Sequence, residues 1–396
     1  MESPNSSGLS RPSSSIPTQP ENRVNKANRS TFAAKYNRKM LDWLGKQLAK
    51  NPEADIINLL SSTYSAELQE HISSAIAPPI STNGTSDSKP SLPAKDIRSR
   101  LNIAASSTII CELSAEVEEL FRPYEDLSAG LVSLLSESDV LYESSWAASV
   151  MVFRLSENIV VKITGDKTSP VNEHQSLGYL QQHLPAFPAP RPHGVIRHNK
   201  HTLLFTSLVP GITLEKMWPQ LDKAGKHNIS SQLDTLLSTL RSLPHPEDAP
   251  LGGVQGGGVK DTRRFVRRSP EQIMDVRQFE DFIFAGSKTA SPLYTDILRG
   301  LMPASPAKCV FTHGDIRPAN IMVSRSEDGT LRVEGIIDWE SSGFYPEYWD
   351  CVKATNNLTP SDKFDWYHFL PEPISSKQYP LQWLIDRLWD RNLVNS

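Results

Sequence analysis

Three cysteines in 396 residues, widely separated at Cys111, Cys309 and Cys351, are too few for a disulfide framework or a zinc knuckle. They fit a reducing compartment, and a cytoplasmic location is expected. Long apolar runs are equally scarce. Nowhere do ~18 apolar residues follow one another as a membrane helix requires, and the first thirty residues lack the apolar stretch of a signal peptide, so neither membrane insertion nor secretion is expected. Charge of one sign is missing too. The 41 basic side chains stand against 45 acidic ones, a net charge of −4, which argues against a general polyanion binder and hence against a nucleic-acid partner.

What is present changes along the chain. Residues 1–30 are Ser, Pro, Asn and charged residues with too little apolar surface to offset the entropy of ordering, and read as a disordered tail. Residues 31–95 read as a helical extension and linker: Phe32, Tyr36, Met40, Leu41, Trp43, Leu44 and Leu48 recur at helical spacing, and prolines and serines from Pro78 to Pro93 follow. Residues 96–125 continue as a helical lead-in. The period then shortens. Val150, Val152 and Leu155, then Ile159 to Ile163, read as a hairpin; Asn172 to Leu184 reads as a helix, and Gly194–Ile196 and Leu203–Val209 as two more strands. Residues 126–209 thus make a small antiparallel sheet carrying a helix. Residues 210–396 are mainly helical, with short strands at Cys309–Thr312 and Gly335–Ile337.

The chemistry concentrates beside those last strands. Thr312-His313-Gly314-Asp315-Ile316-Arg317-Pro318-Ala319-Asn320 is followed by Ile337-Asp338-Trp339-Glu340. Asp315, Asn320 and Asp338 are three hard oxygen donors at loop ends, suited to Mg²⁺, which binds through one or two carboxylates together with phosphate oxygens. Their order is that of kinase sites, in which the first Asp accepts the nucleophile's proton and the other two residues hold metal.

These motifs resemble those of the aminoglycoside phosphotransferase and choline kinase-like family, over roughly Asp126 to Ala354. The resemblance implies an α+β, bilobal, protein-kinase-like fold with a sheet-based N-lobe and a helical C-lobe. It further implies a phosphotransferase acting on a small-molecule hydroxyl, with ATP or GTP as co-substrate and Mg²⁺ as cofactor. Residue by residue, Lys162 is similar to the strand lysine that grips the nucleotide's phosphates, and Glu173 to the helix glutamate that pairs with it. Phe205, Thr206 and Leu208 would form the adenine-binding hinge, Phe205 behind the base and the other two through their backbones. Asp315 would be the catalytic base, and Asn320 and Asp338 the metal ligands. Where a glycine-rich phosphate loop belongs, Tyr142 to Ser149 contains no glycine, so Ser144 and Ser145 would have to supply its donors. That departure keeps open a nucleotide-binding pseudokinase that works as a scaffold.

Other features have plainer readings. The glycines from Gly252 to Gly258 are followed by Val259 where a P-loop requires Lys, and read as a flexible loop. Arg263, Arg264, Arg267 and Arg268 read as a solvated surface, and Phe344, Tyr345, Tyr348 and Trp349 as C-lobe packing. His193, His198 and His201 lack further metal ligands, and His313 reads as a brace for its loop.

Overall fold

The computed structural model describes residues 32–60, 64–73, 96–144, 150–264, 266–287, 289–304, 307–327 and 329–394. The expected tail, residues 1–30, and the linker from Pro78 to Pro93 lie outside them. The chain divides into two compact units, Met1–Pro90 and Ser91–Ser396. In the first, helices α1 (Phe32–Lys50), α2 (Ile56–Leu59) and α3 (Tyr64–Ser73) are described. The α1 and α3 helices pack together through stacked Tyr36 and Tyr64 rings, 5.8 Å between centroids, and the Tyr64 hydroxyl donates to Asn37 Oδ1 at 2.8 Å.

The second unit opens with a strand, β1 (Ser107–Cys111), and two helices, α4 (Ala115–Phe121) and α5 (Leu127–Glu137), capped by the Ser114 and Asp126 side chains. Then come β2 (Asp139–Glu143), β3 (Met151–Arg154), β4 (Ile159–Thr164), α6 (Ser169–His183), β5 (Pro192–His198) and β6 (His201–Ser207). The six strands form one antiparallel sheet in the order β1-β5-β6-β4-β3-β2. Because β1 pairs with β5, the lead-in before residue 126 is part of the N-lobe sheet rather than a helical preface.

Alternation divides the sheet between two partners. Phe153, Val161, Ile163, Leu203 and Phe205 face a core shared with Val117 of α4 and Leu131 and Leu135 of α5. Lys162 and its cross-strand neighbours Val152 and Leu204 lie on the other face, where α6 packs over β5 and β6.

The C-lobe follows. It comprises β7 (Ile212–Thr213), α7 (Leu214–Met217), α8 (Lys223–Arg241), β8 (Lys260–Asp261), β9 (Arg267–Arg268), α9 (Val276–Phe284) and α10 (Pro292–Gly300). Beyond these lie β10 (Cys309–Thr312), β11 (Ile321–Arg325), β12 (Leu331–Ile336), β13 (Gly343–Pro346), α11 (Trp349–Ala354) and α12 (Pro380–Val394). The apolar stripe of α8, Ile229, Leu233, Leu237 and Leu240, is buried against Phe311, Ile336, Trp339 and Phe344. That core fixes the two strand pairs, β10-β13 and β11-β12, whose ends carry the motifs. A second core gathers Phe279, Tyr345, Tyr348, Trp349 and Trp389, so those aromatics do serve packing. Among the described residues no helix is long and apolar enough to cross a membrane.

Candidate active site

The chain leaves β10 at Thr312 and turns at Gly314, whose φ of +77° is accessible to glycine; a Cβ there would stand 2.4 Å from the Ser341 carbonyl oxygen. The Gly314 amide donates to Asp350 Oδ1 at 2.8 Å, tying the turn to the start of α11. His313 is buried beneath the loop. Its Nε2 stands 3.0 Å from the Ile337 carbonyl, and its Nδ1 accepts the Asp315 amide at 3.1 Å. These two bonds define the Nε2–H tautomer, and burial depresses the imidazole's pKa and keeps it neutral. His313 is therefore a brace, as its place in the motif suggested.

Asp315 stands at the loop's surface-facing side, half buried. Asn320 Nδ2 donates to Asp315 Oδ2 and to its backbone carbonyl, both at 2.9 Å, and Arg317 Nε lies 3.1 Å from Oδ2. Burial raises the Asp315 pKa, against the opposing pull of Arg317. A single 3₁₀ turn, Pro318–Asn320, feeds β11, and the Ile337 amide donates to the Asn320 carbonyl at 2.9 Å, joining this loop to the second motif.

In that second motif Asp338 adopts φ +70°, a left-handed conformation that costs a non-glycine residue energy and is held by its surroundings. Trp339 anchors the turn, its indole N–H on the Ile336 carbonyl at 2.7 Å and its amide on Glu173 Oε1 at 3.0 Å. Lys162 Nζ reaches Glu173 Oε2 at 3.0 Å, Glu340 Oε2 at 3.2 Å and, closely, Asp338 Oδ1. One ammonium thus gathers three carboxylates whose oxygens lie within 4.8 Å of one another. Burial works against the Lys162 charge, but Asp338, Glu173 and Glu340 outweigh it and raise its pKa well above the ordinary value. Burial pushes Asp338 up, and Lys162 reverses this to leave it lowered. Glu173 goes the other way: burial, then the neighbouring Asp338 and Glu340 charges, raise it to about 7 despite Lys162.

The structure therefore brings Lys162 and Glu173 of the N-lobe against Asp338 of the C-lobe, with the Asp315–Asn320 loop joined to the same motif. The hinge residues fare differently. Phe205 points away from Lys162 into the α4–α5 core, 6.1 Å from Phe121, so its side chain cannot back a nucleotide on the Lys162 face; Leu204 holds that face. Thr206 shares the Lys162 face but lies within the sheet, between β4 and β5. The Leu208 amide donates to the Asn158 carbonyl at 2.7 Å, which removes it as a donor to a base. Ser144 closes β2, its amide on the Val150 carbonyl at 3.0 Å, and Ser145 lies outside the described residues.

Sequence reasoning missed three participants. Glu340 belongs to the cluster around Lys162. Lys260 Nζ contacts Ser169 Oγ at 2.7 Å and Glu340 Oε1 at 3.4 Å, and Asn172 Nδ2 donates to the Glu340 carbonyl at 3.0 Å. Only the Asp-Trp-Glu run hinted at the first. Two plainer readings are also corrected. Gly252 exchanges both backbone hydrogen bonds with Phe344, a Cβ at Gly253 would stand 2.1 Å from Asn172 Oδ1 of α6, and Gly256 and Gly258 hold φ of +76° and +70°, so close approach at the first two and backbone conformation at the last two explain glycine there. Three of the four arginines are not a solvated surface: Arg263 is fully buried between Asp261 (2.9 Å) and Asp386, Arg264 pairs with Asp390, and Arg267 reaches Asp261 at 2.7 Å, whereas Arg268 is exposed as expected. The histidines at 193, 198 and 201 belong to no group of potential metal ligands among the described residues.

A sheet lysine paired with a helix glutamate, above a loop bearing Asp and Asn and a turn bearing Asp, defines a protein-kinase-like phosphotransferase. Residues 147–367 match the model of the phosphotransferase enzyme family that includes the aminoglycoside phosphotransferases, and the chain belongs to this family. None of the curated proteins matches it. Among solved structures it is similar to the ternary complex of aminoglycoside phosphotransferase APH(2″)-IIa with streptomycin and ATP (15% identity, 72% of this chain and 88% of that one, TM-score 0.40). It is also similar to aminoglycoside phosphotransferase APH(3″)-Id from Streptomyces rimosus (19%, 68% and 98%, 0.40). A third is a candidate fructosamine-3-kinase from Haemophilus somnus (12%, 65% and 82%, 0.42).

Proposed function

We propose that the protein is a Mg²⁺-dependent cytoplasmic kinase that moves the γ-phosphate of ATP or GTP to a hydroxyl of a small-molecule acceptor. The observation that carries this reading is the convergence of Lys162, Glu173 and Asp338 beside the Asp315–Asn320 loop.

The donor set suits magnesium. With its amide nitrogen committed to Asp315, Asn320 keeps its amide oxygen for a cation, and Asp338 adds a carboxylate held deprotonated by Lys162. When bound, the ion neutralises charge on the β- and γ-phosphates. Lys162, oriented by Glu173, supplies further positive charge to the nucleotide's phosphates. Asp315 orients the acceptor hydroxyl and takes its proton as the acceptor oxygen bonds to the γ-phosphorus. The bond from that phosphorus to the bridging oxygen breaks, its electron pair leaves on the nucleoside diphosphate, and Asp315 returns the proton to solvent. The transition state is loose, so positioning and electrostatics provide most of the acceleration.

The test is transfer of label from γ-³²P nucleotide to a panel of hydroxyl compounds, with Mg²⁺ and with EDTA. Transfer that needs Mg²⁺ and fails in Asp315→Asn supports the reading; equal turnover by the variant would overturn it. Thermal stabilisation by Mg-nucleotide without transfer to any acceptor would favour a nucleotide-binding scaffold instead.

A further inference from the structure

Beside Asp315 the structure holds a charge that the phosphate chemistry does not use. Asp350, at the start of α11, fixes the Gly314 amide next to Asp315. Lys353 is three residues further along α11, on the same side of the helix. It is 8% exposed, its Nζ donates to Thr262 Oγ1, and among the described residues no carboxylate lies within 4.0 Å of it. The Asp315 and Lys353 charges nonetheless act on each other. Thr262 follows β8, whose first residue, Lys260, touches Glu340; this segment thus runs from the Lys162 cluster to α11.

The charges around it are unequal. Asp261, Asp386 and Asp390, the carboxylates flanking the segment, are each held by Arg263, Arg264 or Arg267. A polycationic acceptor needs unclaimed carboxylates, and these are claimed. Asp350 Oδ1 accepts the Gly314 amide and Arg241 lies 3.9 Å from its Oδ2, so of the charges named here Lys353 is the one without an ion pair. Among the described residues this ammonium hydrogen-bonds only to a hydroxyl, and burial lowers its pKa although Asp315 and Asp261 act on it from beyond 4.0 Å, a cost that an anion in contact with it would recover.

We propose that the acceptor carries an oxyanion, a carboxylate or a phosphate, next to the hydroxyl that Asp315 positions, and that Lys353, braced by Thr262, binds it. This rests on the reading of Asp315 as the acceptor's base. Lys353 is thus a specificity-determining residue, and the preferred substrates are hydroxy acids or sugar and polyol phosphates.

The experiment uses the full chain with Mg·ATP and matched acceptors: glycerate and glycerol 3-phosphate as the two anionic arms, with glycerol, choline and kanamycin as neutral and cationic arms. Transfer to one anionic arm, with acceptor KM raised about 10–100-fold in Lys353→Met and ATP KM within about twofold, is the expected result; that range is what one charge-assisted hydrogen bond is worth. Thr262→Val, which keeps the charge, provides a milder variant whose acceptor KM rises less, and Lys353→Arg restores part of the affinity. Transfer confined to glycerol, choline or kanamycin overturns the proposal while leaving the kinase reading intact. If nothing is phosphorylated, calorimetry of glycerate and glycerol 3-phosphate with Mg·ADP present decides: saturable binding lost in Lys353→Met supports the site, and no binding overturns it.

Discussion

Asp315 is held in two opposing ways, by burial that favours its neutral form and by Arg317 that favours its charge. A positioned base is worth ~10²–10⁴ in rate, so Asp315→Asn is expected to lose about that factor in kcat while binding of Mg-nucleotide, measured by fluorescence titration, stays unchanged. The sign of the pKa shift gives a second test. Because the Asp315 pKa is raised, the acidic limb of the kcat/KM profile should lie above the ordinary carboxylate value of 3.8, and Arg317→Ala should move it higher still, since the cation favouring the charged form is gone. Glu173 carries a pH signature of its own. The unfolded chain ionises it near 4.5 and the folded one at about 7, so the folded state binds more protons between those values and stability declines as pH rises through that window. Glu173→Gln removes that decline: the melting temperature of the variant relative to wild type should increase from pH 5 to pH 8, while its nucleotide KM rises. At this scale the motifs were legible because Asp315 and Asn320, or Asp338 and Glu340, are neighbours in sequence. Glu340's grip on Lys162 crosses 178 positions, and nothing local announces it. Phe205 was misassigned by one residue, and with a period of two a single step moves a side chain to the other face of the sheet.

Elements were readable where their pattern was complete. The β3–β4 hairpin and α6 fall where alternation or helical spacing put them, because β3 and β4 alternate buried with less buried positions and α6 buries one face, and β10 was readable as a short apolar run. Strands lacking that contrast escaped. The β13 residues are all buried, and β1 is an exposed edge strand of five residues, so neither alternates, and the pairing of β1 with β5 lies some ninety residues away. Turn chemistry was legible only as glycine content. The structure assigns each glycine a different weight, which a pair of variants can measure. Gly314→Ala must hold a positive φ and push a Cβ into the Ser341 carbonyl, so it should cost more than about 1–3 kcal/mol in urea unfolding. Gly178 lies inside α6 with no neighbouring atom within 4 Å of where a Cβ would stand, and Gly178→Ala should stabilise by about 0.5–1 kcal/mol through helix propensity.

For the molecule as a whole, a near-neutral balance of charge conceals an internal arrangement. The arginines at 263, 264 and 267 and the aspartates at 261, 386 and 390 tie the segment after the Gly252–Gly258 loop to α12, across the C-lobe. Arg263 is the hub. It is fully buried, it stacks 5.1 Å from the Trp349 ring, and removing it would leave the Asp261 and Asp386 carboxylates short of a buried partner. Breaking a buried ion pair from one side costs roughly 3–5 kcal/mol, so Arg263→Ala should lower the unfolding free energy by about that much, whereas Arg268→Ala, on the partly exposed side, should stay within about 0.5 kcal/mol. The two variants also separate by pH. Burial alone would raise the Asp261 pKa, but Arg263 and Arg267 outweigh it and hold the carboxyl well below the ordinary range. A carboxylate depressed in the folded state contributes stability that is present above its unfolded pKa and is lost as the pH falls. Arg263→Ala forfeits most of that contribution, so the gap between its unfolding free energy and that of the wild type should be widest near neutrality and should narrow as both are titrated below pH 4. A gap independent of pH would show that Arg263 acts through its packing on Trp349 rather than through its charge.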